Sequence, residues 1–342
     1  MRFLFLGAGA IGTYIGGSLA ASGHEVAFIE QAGPAASIAA RGLTLHVGGR
    51  TKVVRDVALF TDPGEALDAG PWDVGVFALK SFDTDAAVDG LVATGRPVPT
   101  ILSLQNGVDN EATIAAKLGA DRVVAGTVTT SIAKPGVGEV VEEKHRGVGV
   151  ALGHRLSKRL VEAFAGAGLG ARGYPDAAAM KWSKLLTNLQ GNATSAILDM
   201  PVGEVFADRR LYDLEIDAMR ECLRVMHALT IKPVDLPGTP VRALAMAVER
   251  LPRMIGQPIL TRMLGEGRGQ KMPSFHIDLY SGRGRSEVGY LNGAVVRHGA
   301  TRGVATPVNG VLTRTLEALT DGTEPISRFR HNPDVLLALL GR

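Results

Sequence analysis

Two periodicities divide the chain. Up to about residue 175, short apolar runs alternate with turn residues and Ala-rich stretches. Beyond it, apolar positions recur at helical spacing and strand-like runs disappear. Residues 2–6 (Arg-Phe-Leu-Phe-Leu) read as a buried strand, Gly7 to Gly12 as a Gly-rich turn, Ala10 to Ser22 as a helix closed by Gly23-His24, and Glu25 to Glu30 as a second strand. Together they make a strand–helix–strand unit with its crossover. Further strands are expected at Val53–Leu59, Val74–Leu79, Thr100–Leu104 and Val123–Thr127, with helical segments between most of them. That alternation predicts a mainly parallel sheet with helices on both faces. Gly138–Glu142 and Gly147–Leu152, joined by Glu143-Lys144-His145-Arg146, read as a terminal hairpin.

Helices are expected at 179–198, 208–229, 240–265, 274–281, 287–302 and 326–342. The fold class is therefore α/β: an N-terminal Rossmann-type domain (residues 1–175), followed by an all-α C-terminal domain (residues 176–342). The segment 237–272 carries Pro237, Pro240, Pro252 and Pro258 and is expected to be irregular or mobile.

Composition narrows the classes. An apolar share of 46% supports a full core, and a charged share of 21% argues against disorder. Net charge is +3, from 37 Lys and Arg against 34 Asp and Glu, with no long basic run, so no nucleic-acid partner is expected. A single cysteine, Cys222, excludes an internal disulfide and fits a reducing compartment, and a cytoplasmic location is expected. Met1-Arg2 and the apolar stretch through Ala21 mimic a signal peptide, but glycines at 7, 9, 12, 16 and 17 interrupt it and the pattern runs on into a strand. No stretch is apolar for long enough to span a membrane. The histidines show no H-E-x-x-H or close ligand spacing, so no metal site is expected.

Gly7-Ala8-Gly9-Ala10-Ile11-Gly12 is G-x-G-x-x-G in its required context, after a strand and opening a helix. Gly7 permits the tight turn, Gly9 lets backbone approach a pyrophosphate, and Gly12 lets helix and sheet pack closely. A helix start adds N–H donors and a positive dipole end. Glu30 ends the second strand, where an acid accepts hydrogen bonds from ribose hydroxyls and repels a 2′-phosphate, which leans toward NAD over NADP. On this motif alone FAD stays open.

In the helical half, Lys184, Asn188 and Asn192 sit four residues apart, which puts them on one face of the predicted helix 179–198. Trp182, Leu185, Leu186, Leu189, Ala193, Ala196 and Ile197 bury its other faces. Asn is a poor helix former, so its repeat there is not for helix stability. The stripe suits holding and protonating an oxygen-rich small molecule; a solvated edge would give the same spacing.

Several segments in order resemble the ketopantoate reductase (2-dehydropantoate 2-reductase) family: GAGAIG at 7–12, LKSFDT at 79–84, LQNGVDNE at 104–111, AGTVTTSIAKPGVGEV at 125–140, KWSKLLTNLQGNATSAI at 181–197, PSFHIDLYSGRGRSE at 273–287 and LNGAVVRHGATRGVATPVN at 291–309. The resemblance implies a cytoplasmic reductase using NAD(P)H and a small anionic 2-oxo acid, with the substrate in the cleft between domains. It implies that Lys184 hydrogen-bonds the substrate ketone and delivers its proton, with Glu287 as its acidic partner. Asn188 and Asn192 match substrate-binding residues, and Ser274 matches the serine for the substrate carboxylate. Asn106 matches an asparagine meeting substrate and nicotinamide ribose, and Lys80 a lysine near the cofactor; Glu287 is also assigned to the cofactor's surroundings. The chemistry agrees: hydride arriving at a 2-oxo carbon leaves negative charge on oxygen, which a positioned ammonium stabilises and then protonates. Ser274 also reads as a helix N-cap, Asn106 as a turn residue before Gly107, and Glu287 as a solvated helix-start acid.

Three departures from the family pattern stand out. Gln31 replaces a frequent Arg, and beside Glu30 it weakens the family's usual NADP preference. The stretch Gly269-Gln270-Lys271-Met272 lacks the Asn often found before Ser274. The span from Asp278 to Glu287 is one residue longer. A paralogue acting on another oxo or hydroxy acid, and a non-catalytic nucleotide-sensing protein, are the rival readings. Apolar faces in the helical half, including 326–342, could pack on a partner copy as a homodimer or on the same chain.

Overall fold

The first strand, β1 (Arg2–Leu6), is buried on both faces, with Phe3, Leu4 and Phe5 fully inaccessible, as its unbroken apolar run requires. In the computed structural model it lies inside an eight-stranded sheet. The chain continues through β2 (Glu25–Ile29), β3 (Leu43–Val47), β4 (Arg50–Val54), β5 (Ala58–Phe60), β6 (Val74–Phe77), β7 (Thr100–Ser103), β8 (Val123–Val128), β9 (Ser131–Gly136), β10 (Glu139–Lys144), β11 (Val148–Ala151) and β12 (Ala171–Tyr174). The large sheet has the order β12-β11-β8-β7-β6-β1-β2-β5 and is parallel except where β11 meets β8. The helices between its strands are α1 (Ala10–Ala20), α2 (Ala32–Arg41), α3 (Pro63–Asp68), α4 (Thr84–Ala93), α5 (Asn110–Leu118) and α6 (Ser157–Gly166). After them come α7 (Ala177–Leu189), α8 (Asn192–Leu198), α9 (Val202–Ala207), α10 (Arg209–Ala228), α11 (Val241–Arg250), α12 (Arg253–Arg268), α13 (Ser274–Tyr280), α14 (Asn292–Thr301), α15 (Pro307–Asp321) and α16 (Pro333–Ala338). The structure describes residues 1–268, 272–282 and 284–342, and for 263–268 the backbone alone.

The chain forms two compact units. The first is Met1–Lys181 with Asp235–Thr239, and the second is Trp182–Val234 with Pro240–Arg342. The first unit is the parallel α/β layer, with a core built on Phe3, Phe5, Phe28, Val74, Val76 and Leu102. The Phe5 and Phe28 rings lie 5.2 Å apart on adjacent strands, an arrangement worth about 0.5–1.5 kcal/mol beyond area burial. In the second unit every named element is helical. No helix among the described residues is long and apolar enough to cross a membrane.

Several expected elements differ. The terminal hairpin does not form: Glu139–Lys144 pairs with β9 and β3 in a separate four-stranded sheet, while Val148–Ala151 joins the large sheet between β8 and β12. The single strand expected at 53–59 is two, β4 in the small sheet and β5 at the edge of the large one. The helix expected at 179–198 breaks at Gly191, whose φ of 64° is left-handed. The one at 240–265 breaks at Leu251-Pro252, because proline lacks the N–H that a continuous helix needs. The last helix begins only at Pro333, after a 3₁₀ turn at Ile326–Arg328. The segment 237–272 is largely α11 and α12 rather than irregular, and its Gly269, Gln270 and Lys271 lie outside the described residues.

Candidate active site

In the first unit the Gly-rich turn has the expected local physics. Gly7 has φ +91° and donates its N–H to the Ile29 carbonyl at 3.0 Å, closing the turn between β1 and β2. A Cβ on Gly12 would fall 2.1 Å from the Gly7 carbonyl oxygen, so helix and turn meet too closely for any side chain. Gly9 is different: a Cβ there would meet nothing nearer than 4.0 Å, so the protein's own packing does not demand a glycine. The bare backbone at Gly9 suits close approach by a ligand. Gly9 caps α1 without a side-chain bond, and the first turn, Ala10 to Gly12, holds no acid. A helix start of this kind leaves N–H donors and a positive dipole end for an anion.

Glu30 follows β2. Its carboxylate accepts the Ala8 N–H at 2.7 Å and the Gln31 N–H at 2.8 Å, so a negative charge is fixed against the Gly-rich turn. This donor set fits a dinucleotide: bare backbone and a helix start for the pyrophosphate, and a carboxylate for ribose hydroxyls.

Lys80 and Asn106 follow β6 and β7, at the carboxyl ends of parallel strands, where open α/β sheets bind ligands. A polar network ties these loops together. Ser81 Oγ and Asn110 Nδ2 donate to the Asn106 carbonyl at 2.9 and 2.6 Å. Thr84 Oγ1 donates to Asn110 Oδ1 at 2.9 Å, and Gln105 Nε2 donates to Thr84 Oγ1 at 2.8 Å. Gly107 has φ +89°, so Asn106 does lie at a turn. Lys181 is a buried lysine that the sequence pattern does not single out. It is 4% exposed, donates to the Gln105 carbonyl at 2.6 Å and pairs with Glu111 at 2.8 Å. Its signal was position: a lysine in an apolar helical run, one turn before Lys184.

In the second unit, Lys184 and Asn188 are half-buried on α7, one helical turn apart, with Leu185, Leu186 and Leu189 buried beside them. Asn192 is not on the same helix. Gly191 ends that run, and Asn192 opens α8. Its side chain is 5% exposed; Nδ2 donates to Ser274 Oγ at 3.3 Å, and Oδ1 accepts the Phe275 N–H at 3.1 Å. An amide has two donors and two acceptor sites, so each end keeps one. Ser274 itself is exposed and is not the N-cap; Pro273 holds that place. Glu287 is 2% exposed and so not a solvated acid. It precedes a 3₁₀ turn at Val288–Tyr290, and the helix expected from 287 starts at Asn292.

Two further buried acids lie on α10. Glu215 accepts the Gly191 N–H at 2.7 Å and the Thr194 hydroxyl. Glu221 accepts the Val308 and Asn309 N–H groups at 2.8 and 2.9 Å. Burial raises the Glu221 carboxyl above its ordinary value despite the opposing hydrogen bonds from Asn309 and Val308. Among the described residues no group of three His, Cys, Asp or Glu side chains could hold a metal ion.

The comparisons agree with this architecture. Residues 3–154 match the family described as ketopantoate reductase PanE/ApbA, and residues 176–320 match its C-terminal region. A 2-dehydropantoate 2-reductase from Pyrococcus horikoshii is 28% identical over 327 residues, covering 93% of this chain and 97% of that protein. One from Halobacterium salinarum is 29% identical over 328 residues, covering 90% and 95%. The crystal structure of a PanE/ApbA family ketopantoate reductase from Ralstonia eutropha JMP134 superposes with a TM-score of 0.79 at 29% identity, covering 94% of this chain and 99% of that one. With both regions of the family matched in order along the sequence, the chain belongs to the ketopantoate reductase family.

Proposed function

We propose that this protein is an NAD(P)H-dependent oxidoreductase that reduces 2-dehydropantoate to pantoate, a step that leads toward pantothenate and coenzyme A. Membership of the family supports this reading, together with the near-full-length similarity to proteins named 2-dehydropantoate 2-reductase. The observation that carries it is the polar set of the second unit: Lys184 and Asn188 one turn apart on α7, and Asn192 fastened to Ser274 at the start of α13.

Each residue has a chemical reason. The ammonium of Lys184 would hold the ketone oxygen, stabilise the charge that grows there and give it a proton. Glu287, buried within the same unit, would keep that ammonium charged and oriented. Asn188 and Asn192 would bind hydroxyl and carboxylate oxygens without adding charge, and the Ser274 hydroxyl would donate to the carboxylate. In the first unit, Gly7 to Gly12 and Glu30 would hold the dinucleotide, with Lys80 and Asn106 on the loops beside it. A reduced nicotinamide bound there would supply the hydride to C2. For the choice of cofactor, the fixed Glu30 carboxylate and the absence of a cation at Gln31 favour NADH over NADPH.

Lys184→Ala tests the assignment. Loss of a positioned proton donor should lower kcat by about 10²–10⁴, while dinucleotide binding, followed by fluorescence titration, stays within twofold of the parent. Turnover like the parent's would sink the role given to Lys184. Absence of turnover by the parent across a panel of 2-oxo acids would sink the function.

A further inference from the structure

Glu215 is a carboxylate in a place that hydrophobic packing alone would fill with an apolar side chain. It lies on α10 at 1% exposure. Burying an ionised group is costly unless it is hydrogen-bonded. Both its oxygens accept bonds at the same short stretch of chain: Oε2 accepts the Gly191 N–H at 2.7 Å, and Oε1 accepts the Thr194 hydroxyl. Between these partners lie Asn192, the first residue of α8, and Ala193. Gly191 is held at φ 64° with Val202 Cγ1 only 2.9 Å from where a Cβ would stand, so the break between α7 and α8 is tightly built. Gly191, the N-cap of α8, has no side chain to offer, and its own N–H is accepted by Glu215, 24 residues along the chain. Asn192 in turn holds Ser274 Oγ and the Phe275 N–H at the start of α13.

We infer that Glu215 is a positioning residue for the oxo acid: it fixes the α7–α8 break and so aims Asn192, and through Asn192 the Ser274 hydroxyl, at the substrate carboxylate. The inference rests on the reading of Asn192 and Ser274 as substrate-binding residues. Glu215 itself touches neither substrate nor cofactor. Its effect belongs to oxo-acid binding and not to the dinucleotide, which is a split that a general stabilising role would not produce.

The test is steady-state kinetics of Glu215→Gln beside the parent, with 2-dehydropantoate and a reduced nicotinamide cofactor varied in turn. Glutamine keeps the shape but offers one acceptor oxygen where the carboxylate offers two, so one charge-assisted contact is lost. The expected result is a KM for the oxo acid raised about tenfold, the size of one such contact, with kcat within threefold and the cofactor KM unchanged. Thr194→Val, which deletes a single donor to Glu215, should shift the same constant by a smaller factor and serves if Glu215→Gln fails to fold. Unchanged oxo-acid KM in the folded variant, or equal rises in both KM values, overturns the inference while leaving the proposed function standing. A parent inactive on 2-oxo acids overturns the reading beneath it, and the inference with it.

Discussion

Glu30 is the residue at which the proposed preference for NADH can be tested. Its carboxylate is pinned by the Ala8 and Gln31 N–H groups, so it cannot swing away from a 2′-phosphate. Two like charges about 4 Å apart near a protein surface repel by roughly 1–4 kcal/mol. Glu30→Gln removes the charge and keeps an acceptor for Ala8. The expected outcome is a shift of about tenfold in the ratio of kcat/KM for NADPH over NADH, equivalent to ~1.4 kcal/mol. An unmoved ratio would show that cofactor choice lies elsewhere. Its placement was legible in the sequence because it depends on near neighbours: a strand end, a Gly-rich turn and a helix start, all within 30 residues of chain. Asn192 was legible in type but not in geometry. Its four-residue spacing from Asn188 promised one helical face, and the glycine between them withdrew it.

At the scale of elements, α8 and α13 are joined at two points. Asn192 at the head of α8 holds the head of α13, and Asp199, just past the end of α8, accepts a 2.6 Å hydrogen bond from His276 of α13. Arg330 reaches the other Asp199 oxygen at 2.9 Å. Burial pushes the Asp199 carboxyl up, but the hydrogen bond from His276 and the charges of His276, Arg330 and His331 outweigh it and hold it below its ordinary value. A carboxyl lowered in the folded state adds stability above its unfolded value, and that stability is lost as pH falls through the folded value. Asp199→Asn keeps a residue type that tolerates the left-handed φ of 53° found there. It should cost about 1.5–3 kcal/mol in urea unfolding at pH 7, with the difference closing below the carboxyl range. A gap that persists in acid would assign the loss to shape rather than charge. Helix–helix ties of this kind explain what the sequence concealed. At the break Glu215 accepts the Gly191 N–H, and at the start of α15 Glu221 accepts the Val308 N–H from 87 residues away. Apolar spacing at Val308, Val311, Leu312, Leu316 and Leu319 after Pro307 does signal a helix, but Asn309 and Gly310 in its first turn blur it. The small sheet was hidden for another reason: β4 exposes four of its five residues, so it shows no apolar alternation.

For the molecule as a whole, its one thiol reports on integrity. Cys222 is fully buried in α10, and burial pushes the thiol well above its usual range. Only the thiolate reacts, and only when reached. Native protein should therefore show no titration by a thiol reagent at pH 8 over the time in which denaturant-unfolded chain gives one thiol per molecule; rapid native labelling would contradict the packing around α10. The path of the chain carries a further consequence. It leaves the first unit after Lys181, comes back for Asp235–Thr239, and leaves again. Those few returning residues are not ornamental. The Pro237 carbonyl takes the buried Thr129 hydroxyl at 2.9 Å, and the Asp235 carbonyl takes the Tyr174 hydroxyl at 2.9 Å. A gene fragment cut at the end of the parallel sheet would encode a body whose Tyr174 hydroxyl has lost the Asp235 carbonyl and whose Thr129 hydroxyl keeps only the Gly147 carbonyl, at 3.0 Å, of its two acceptors. Recombination at the junction after Lys181 alone would therefore part the first unit from five of its own residues, so a clean exchange of that unit needs both junctions cut together.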